Sequence, residues 1–202
     1  MLKNILGTTG TRVLNAFVNL IILISLTREL GSEGFGVIML ILLAITIIQL
    51  FIDLIAGSAL IYFTPRTSIL KLLLPSYLWI AIIISLSYML LGILSLHFHG
   101  LYNIIIPSGY EMDIIVLASL NALMLTNYNI LLGSKRIGIY NIIFTIQVLA
   151  LLLVLTGKLF YLNEVSVDSW VTAVYYSYML GYLLSLIAVL YKIRSFDLSG
   201  GI

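Results

Sequence analysis

Long apolar runs with almost no charged residues follow one another along this chain of 202 residues and set what it can fold into. They lie at about 5–28, 35–64, 72–96, 114–134, 137–157 and 169–191. A helix needs about 20 apolar residues to cross the bilayer core, whereas a membrane β-strand needs about ten with strict alternation. The runs therefore predict an all-α polytopic membrane protein, a bundle of six transmembrane helices.

The composition excludes several other classes of protein. Hydrophobic residues make up 62% of the chain and charged residues only 9%, whereas an average soluble domain is about 25% charged. Too few polar side chains remain to cover a water-soluble fold, and a net charge of +2 gives no reason to expect a nucleic-acid partner. The absence of cysteine excludes disulfides, zinc-thiolate sites and a cysteine nucleophile.

The distribution of charge predicts the topology, because Lys and Arg are retained on the cytoplasmic side. With the N-terminus inside, eight of the ten basic residues are cytoplasmic: Lys3, Arg12, Arg66, Lys71, Lys135, Arg136, Lys192 and Arg194. The outer segments hold Arg28 and Lys158 with six acids: Glu29, Glu33, Glu111, Asp113, Glu164 and Asp168. We expect both termini inside, a transmembrane lobe over 1–194 and a cytoplasmic tail over 195–202.

Polar residues at membrane depth are the first candidates for function. Thr8, Arg12, Asn15 and Asn19 follow one another at spacings of four, three and four, which places them on one face of helix one. A face of this kind favours a water-lined cavity. Two other interpretations stay open: the amides could be polar contacts between helices, and the Arg12 guanidinium could reach up to the headgroups.

Asp53 is the one acid inside a predicted span. Helices one and two should form an antiparallel hairpin around residues 32 and 33, and Arg12 and Asp53 are almost equidistant from that turn. Because an unpaired charge is costly at this depth, we expect the two side chains to approach each other, directly or through water. The alternative is that Asp53 only marks the inner end of helix two.

The other polar residues indicate packing or lipid anchoring. They are Asn121, Thr126, Asn127, Asn129, Asn141, Thr145, Gln147, Tyr175, Tyr178 and Tyr182. His97 and His99 lack a third ligand and are expected to be solvated loop residues. No buried histidine could serve as a base, and no phosphate loop or metal motif is present. The sequence thus predicts a protein that is not an enzyme and has no cofactor or metal.

One segment carries a more specific signal. Arg28, Leu30-Gly31 and Phe35-Gly36 stand between the first two spans, and this pattern resembles the same region of Wzx-like polysaccharide and O-antigen flippases. That family belongs to the multidrug/oligosaccharidyl-lipid/polysaccharide exporter superfamily. The opening Asn4-Ile5-Leu6-Gly7, the Gly10-Thr11-Arg12 segment, Asp53 and Pro65-Arg66 are also similar. Family members have two lobes of six helices, so the resemblance covers the N-terminal lobe.

The resemblance implies a transporter of lipid-linked oligosaccharide in the bacterial inner membrane. Its substrate, a repeat unit on polyprenyl diphosphate, would cross to the outer leaflet during cell-surface polysaccharide biosynthesis such as that of lipopolysaccharide. The expected partners are this lipid, membrane lipids and a second six-helix lobe or another copy, which suggests a truncated or split protein. The alternatives are a lobe of a cation-coupled drug exporter, and a non-transporting membrane partner or inert gene fragment.

The site hypothesis comes from the polar stripe. Arg12 would attract the anionic headgroup, and Asn15 and Asn19 would hydrogen-bond sugar or water. Asp53 would balance Arg12 or bind a coupling cation.

Overall fold

A computed structural model describes residues 2–162 and 166–199 of the chain. Side chains are described for 8–100, 102–159, 166–191 and 193; Lys3, Glu164, Lys192 and Arg194, on which the predicted topology draws, lie outside them. The described chain is helical and has no strand. Its helices are α1 (Leu2–Ala56), α2 (Ser58–Phe63), α3 (Ile69–His97), α4 (His99–Ile105), α5 (Glu111–Gly133), α6 (Ile137–Leu162) and α7 (Val167–Ser199).

The first helix is broken at Gly31 into two arms, residues 2–30 and 32–56. Gly31 has φ 66° and ψ −171°, a conformation that is essentially restricted to glycine. Asn19 and Leu42 line the same cavity, although a straight helix would hold them about 34 Å apart. The chain therefore folds back at Gly31, and α1 is a helical hairpin.

The predicted second span, 35–64, is not continuous. The second arm ends at Ala56, and the short helix α2 begins at Ser58 after Gly57. A Cβ atom at Gly57 would lie 2.6 Å from the Asp53 carbonyl oxygen, so the backbone approaches there as only glycine allows. A second short helix, α4, occupies part of the expected outer loop. Local breaks of this kind leave no trace in a uniformly apolar pattern.

Hydrogen bonds between helices give the directions of the chain. Asn141 of α6 donates to Thr8 Oγ1 at 3.2 Å, and Asn15 donates to Thr145 Oγ1 at 3.4 Å. The residue numbers rise together on both helices, so the first arm of α1 runs parallel to α6. This is the relation expected of the first and fifth spans of a bundle in which successive spans alternate in direction.

The second arm of α1 runs parallel to α5 for the same reason. Asn121 donates to Gln49 Oε1 at 3.3 Å, and Asn129 donates to the Ala56 carbonyl oxygen at 3.2 Å. The second arm and α5 each begin near an acidic connection and end near a basic one. We call the two ends of the bundle the basic end (Arg12, Arg66, Lys71, Lys135, Arg136) and the acidic end (Glu29, Glu33, Glu111, Asp113, Asp168).

The bundle exposes many large apolar side chains, unlike a water-soluble protein, although its interior is mostly apolar as well. Within the described residues, five helices, counting the broken α1 as one, are long and apolar enough to cross a membrane by length and composition. α5 is the least apolar of them and the most buried, with 61% of its most apolar stretch enclosed, against 11% for α3. A bundle that exposes large apolar side chains and encloses a minority of polar ones between its helices is typical of a protein surrounded by lipid. The all-α fold class is confirmed.

Candidate functional site

The polar stripe of helix one divides between two environments. Thr8 and Asn15 lie in the contact with α6, where each has a hydrogen-bond partner. Arg12 and Asn19 are exposed. The buried positions of the first arm are Asn15, Val18, Ile22 and Leu26, a spacing of three and four that brings one line of the helix against the bundle. Arg12 and Asn19 lie at the edge of that line and remain accessible.

Asn15 makes a polar contact between helices and has an acceptor oxygen that this contact does not use. Its side chain is 3% exposed and donates from Nδ2 to Thr145 Oγ1. Its Oδ1 atom is buried and has no hydrogen-bond partner among the described residues. For Asn15 the geometry therefore favours the interhelical interpretation. A buried oxygen without a donor is uncommon in folded proteins.

Arg12 and Asn19 lie on one line of the first arm, because seven residues make about two helical turns. On the second arm the same seven-residue spacing places Met39, Thr46 and Asp53 on one line. These three residues are exposed, as are Arg12 and Asn19. Asn19 and Met39 line the same cavity, so both lines start from a common point. From there both lines run toward the basic end. Arg12 lies about 10 Å along its helix from Asn19, and Asp53 lies about 21 Å along its helix from Met39. We call this surface the α1 groove.

Asp53 is held by an amide rather than by the arginine. Gln49 Nε2 donates to Asp53 Oδ1 at 2.8 Å, and Asn121 in turn donates to Gln49 Oε1. No ion pair joins Asp53 to Arg12 within the described part of the chain, so the expected direct contact is not formed. The sequence interpretation missed Gln49. Its position four residues before Asp53, on the same helical face, was the available signal.

The α1 groove carries charge on an otherwise apolar surface. Asp53 is flanked by Leu50, Phe51 and Leu54, which are 63%, 55% and 75% exposed. Arg12 belongs to the basic end, and Asp53 lies farther from the cavity than Arg12 does, so both exposed charges are placed toward that end of the hairpin. A long side chain such as that of Arg12 can reach water or headgroups from there, whereas a carboxylate amid apolar side chains is more stable with water or a polar partner beside it. The groove can bind anions through Arg12 and cations through Asp53.

A cavity of about 280 Å³ lies at the start of the α1 groove, between the two arms of α1, α6 and α7. Asn19, Leu23 and Met39 are exposed and lie at its mouth. Gln147, Trp170 and Tyr178 line its walls. Sequence reasoning assigned Gln147 and Tyr178 to packing or lipid anchoring, because residues from separate helices give no pattern in the sequence that would place them around one space.

Several other predicted polar residues connect helices in the core. Tyr77 donates its hydroxyl to Asn127 Oδ1 at 2.8 Å, and Asn127 Nδ2 donates to Ser185 Oγ at 3.1 Å. These contacts join α3, α5 and α7 toward the basic end. Asn129 is bonded to the second arm of α1. For these residues the geometry agrees with the packing interpretation.

At the acidic end, Tyr110 in the connection between α4 and α5 is hydrogen-bonded to α7. Tyr110 donates its hydroxyl to Asp168 Oδ1 at 2.6 Å. Burial first, and then Asp168 and the charge of Asp113, raise the pKa of Tyr110 to about 12. The shift extends to higher pH the range over which the hydroxyl stays protonated and can donate to Asp168. His97 and His99 are exposed, and among the described residues no three His, Asp or Glu side chains come together as a metal site.

Comparison with protein family models, with characterised proteins and with solved structures finds no match for this chain.

Proposed function

We propose that this chain is one lobe of a membrane transporter that moves lipid-linked oligosaccharide, and that the α1 groove faces the transport path. The observation that supports this most directly is the exposure of Arg12 and Asp53. Seven-residue spacing places them in line with Asn19 and Met39, which line one cavity, and Leu50, Phe51 and Leu54 around Asp53 are exposed apolar side chains. Charges placed in this way are expected where a membrane bundle lines a water-filled passage. The resemblance of the segment around Arg28 and Phe35-Gly36 to Wzx-like flippases suggests the substrate.

The opposing wall of the passage would come from a second six-helix lobe or from another copy. Alternating access works by moving one bundle against another around a central site. The exposed apolar residues of the two arms, such as Phe17 (61%) and Leu54 (75%), would pack against that partner or against lipid. This requirement follows from the exposed charges and not from the length of the chain.

The groove has the chemistry that such a substrate needs. A polyprenyl diphosphate sugar presents an anion and many hydroxyl groups, and its tail remains in lipid. Arg12 would pair with the diphosphate through charge-assisted hydrogen bonds. Asn19 would bond to sugar hydroxyls, while Asp53, oriented by Gln49, would balance the arginine or bind a coupling cation. No covalent step is involved.

The proposal is tested by replacing Arg12. In bacteria that lack their own flippase and express this chain with its partner lobe, Arg12→Ala should abolish surface polysaccharide while the amount of protein in the membrane is unchanged. Arg12→Lys keeps the charge but not the two-pronged geometry, and should restore part of the activity. The measurement is the amount of polymer at the cell surface.

Lys71→Ala is the control. Lys71 is also an exposed residue of the basic end, but it lies on α3, outside the α1 groove and outside the segments that carry the resemblance. Its replacement should leave polysaccharide export intact. Full export by Arg12→Ala would remove Arg12 from the site. Cation-dependent efflux of a dye without polysaccharide export would instead favour a drug exporter.

A further inference from the structure

The inner wall of the cavity at the start of the α1 groove is formed by residues that are hardly exposed to solvent. Its inner wall includes Ile38, Val174 and Trp170, which are 0%, 2% and 4% exposed. Its mouth opens between the two arms of α1. A space of about 280 Å³ is close to the lower bound of ordinary ligand sites, about 300 Å³. The cavity belongs to a single bundle and does not depend on a second lobe.

Gln147 offers an unused hydrogen-bond donor to this space. It is 6% exposed and lines the cavity. Its Oε1 accepts from the Tyr128 hydroxyl at 3.0 Å, and its backbone oxygen accepts from Ser177 Oγ at 3.0 Å. These two contacts hold the side chain in place. Its Nε2 atom has no partner within the described part of the chain.

Two aromatic residues of α7 add further unused polar groups. Trp170 and Tyr178 both line the cavity, and neither the Trp170 indole N–H nor the Tyr178 hydroxyl has a hydrogen-bond partner among the described residues. None of these three atoms is among the fully enclosed side-chain atoms without a partner, which in the described part of the chain are Asn15 Oδ1 and Ser134 Oγ. The three groups therefore keep some accessible surface. Because they belong to residues that line one cavity, they are available to an occupant with hydrogen-bonding capacity.

The lining limits the chemistry of the occupant. No charged side chain of the described residues lines the cavity, and burying an ion without a partner is costly, so we expect an uncharged occupant. Two of the three free groups, the amide and the indole, only donate, so the occupant carries an acceptor oxygen. A 150 Å³ cavity holds benzene, and on that scale this one holds about a dozen non-hydrogen atoms.

We infer that this cavity is a binding site for a small uncharged molecule with an aromatic or aliphatic body and a carbonyl, ether or hydroxyl oxygen. The apolar side chains of the cavity pack against the hydrocarbon part of the ligand. Its oxygen forms hydrogen bonds with Gln147, Trp170 and Tyr178. This site differs in chemistry from the charged part of the α1 groove near Arg12 and Asp53.

The test compares two probes of nearly equal shape, 2-acetylnaphthalene and 2-ethylnaphthalene, of which only the first has an oxygen. The full chain is placed in lipid nanodiscs with Trp79→Phe, which leaves Trp170 as the one indole. Quenching of Trp170 emission is followed against probe concentration, and the wild-type chain is titrated in parallel. We expect saturable quenching, with the ketone binding about tenfold more tightly because it gains hydrogen bonds.

Two variants locate the binding. Tyr178→Phe removes one hydroxyl. It should weaken binding of the ketone probe about threefold to tenfold without affecting binding of the hydrocarbon probe. Val174→Phe fills the cavity and should abolish saturable binding of both probes. Tyr176→Phe, on the exposed side of the same helix, should change neither. Far-UV circular dichroism and elution volume verify that each variant is folded.

Three outcomes would overturn the inference. Quenching that rises linearly with probe would mean partition into lipid and a cavity filled by water alone. Equal affinity for the two probes would show that the free polar groups form no hydrogen bond with the ketone oxygen. Unchanged binding in a folded Val174→Phe protein would place the probe elsewhere.

Discussion

Asn127 illustrates how single polar residues act in this bundle. It is fully enclosed, and its amide both accepts from Tyr77 and donates to Ser185. An amide that meets two partners in a low-dielectric interior links helices, whereas the same amide without partners would favour unfolding. The sequence indicated that polar residues on this helix were structural, but it contained no information on which partners they meet.

Replacing Asn127 should therefore destabilise the bundle. Asn127→Ala leaves the Tyr77 hydroxyl and Ser185 without their partner and should lower the free energy of unfolding by about 1–3 kcal/mol. A double-mutant cycle with Tyr77→Phe should give a coupling energy of about 0.6–1.7 kcal/mol, the range for such bonds in membrane proteins. Unfolding in sodium dodecyl sulfate, followed by far-UV circular dichroism, measures both quantities.

Tyr88→Phe is the control for this cycle. Tyr88 lies on the same helix as Tyr77 but is 58% exposed, so its hydroxyl makes no contact with Asn127. Its removal should change stability by less than about 0.5 kcal/mol. Strict additivity of Asn127→Ala and Tyr77→Phe would show that their bond contributes nothing to stability.

At the scale of elements, the α1 hairpin depends on one backbone conformation. The glycines between the first two spans predict a tight turn, and Gly31 provides it with a positive φ of 66°. Gly34 and Gly36 stand in the same segment but have ordinary helical backbone. The sequence pattern therefore located the turn to within a few residues. It did not distinguish which of the three glycines is required, because that depends on the backbone angles of the folded chain.

Substitution of the two glycines should have opposite effects. Gly31→Ala forces a side chain into a conformation it rarely adopts and should destabilise the protein by about 1–3 kcal/mol. Gly36 is exposed, and a Cβ atom there meets nothing within 4 Å, so Gly36→Ala should stabilise the helix by up to about 1 kcal/mol. Thermal unfolding of both variants measures the difference. Equal effects would contradict the special role of Gly31.

At the scale of the whole molecule, charge should decide how the bundle is oriented in a membrane. The described basic end holds five Lys and Arg residues, while the acidic end holds five Asp and Glu residues together with Arg28 and Lys158. Positive residues remain in the cytoplasm during insertion. The basic end is therefore expected inside and the acidic end outside.

The absence of cysteine allows a direct test of this orientation. Ser68 precedes α3 at the basic end, and Ser108 precedes α5 at the acidic end; both are exposed. In intact cells a membrane-impermeant maleimide should label Ser108→Cys and leave Ser68→Cys unlabelled until the membrane is permeabilised. Labelling of Ser68→Cys alone in intact cells would mean the opposite orientation.

The sequence by itself determined the helical class, the approximate positions of the long helices and the separation of charge between the two ends. Each of these follows from the chemistry of neighbouring residues, since length, hydropathy and charge are local properties. It also selected Arg12, Asn15, Asn19 and Asp53 as candidates, because polar residues in apolar runs stand out.

Only the tertiary structure decided how those candidates are used. Packing against α6 buried Asn15 and left Arg12 and Asn19 exposed, although all three share one helical stripe. Gln49 became the partner of Asp53 in place of Arg12. The cavity lined by Gln147, Trp170 and Tyr178 arose where three helices meet. These outcomes depend on which faces of distant segments come together, and a one-dimensional pattern does not contain the rotation of each helix against its neighbours.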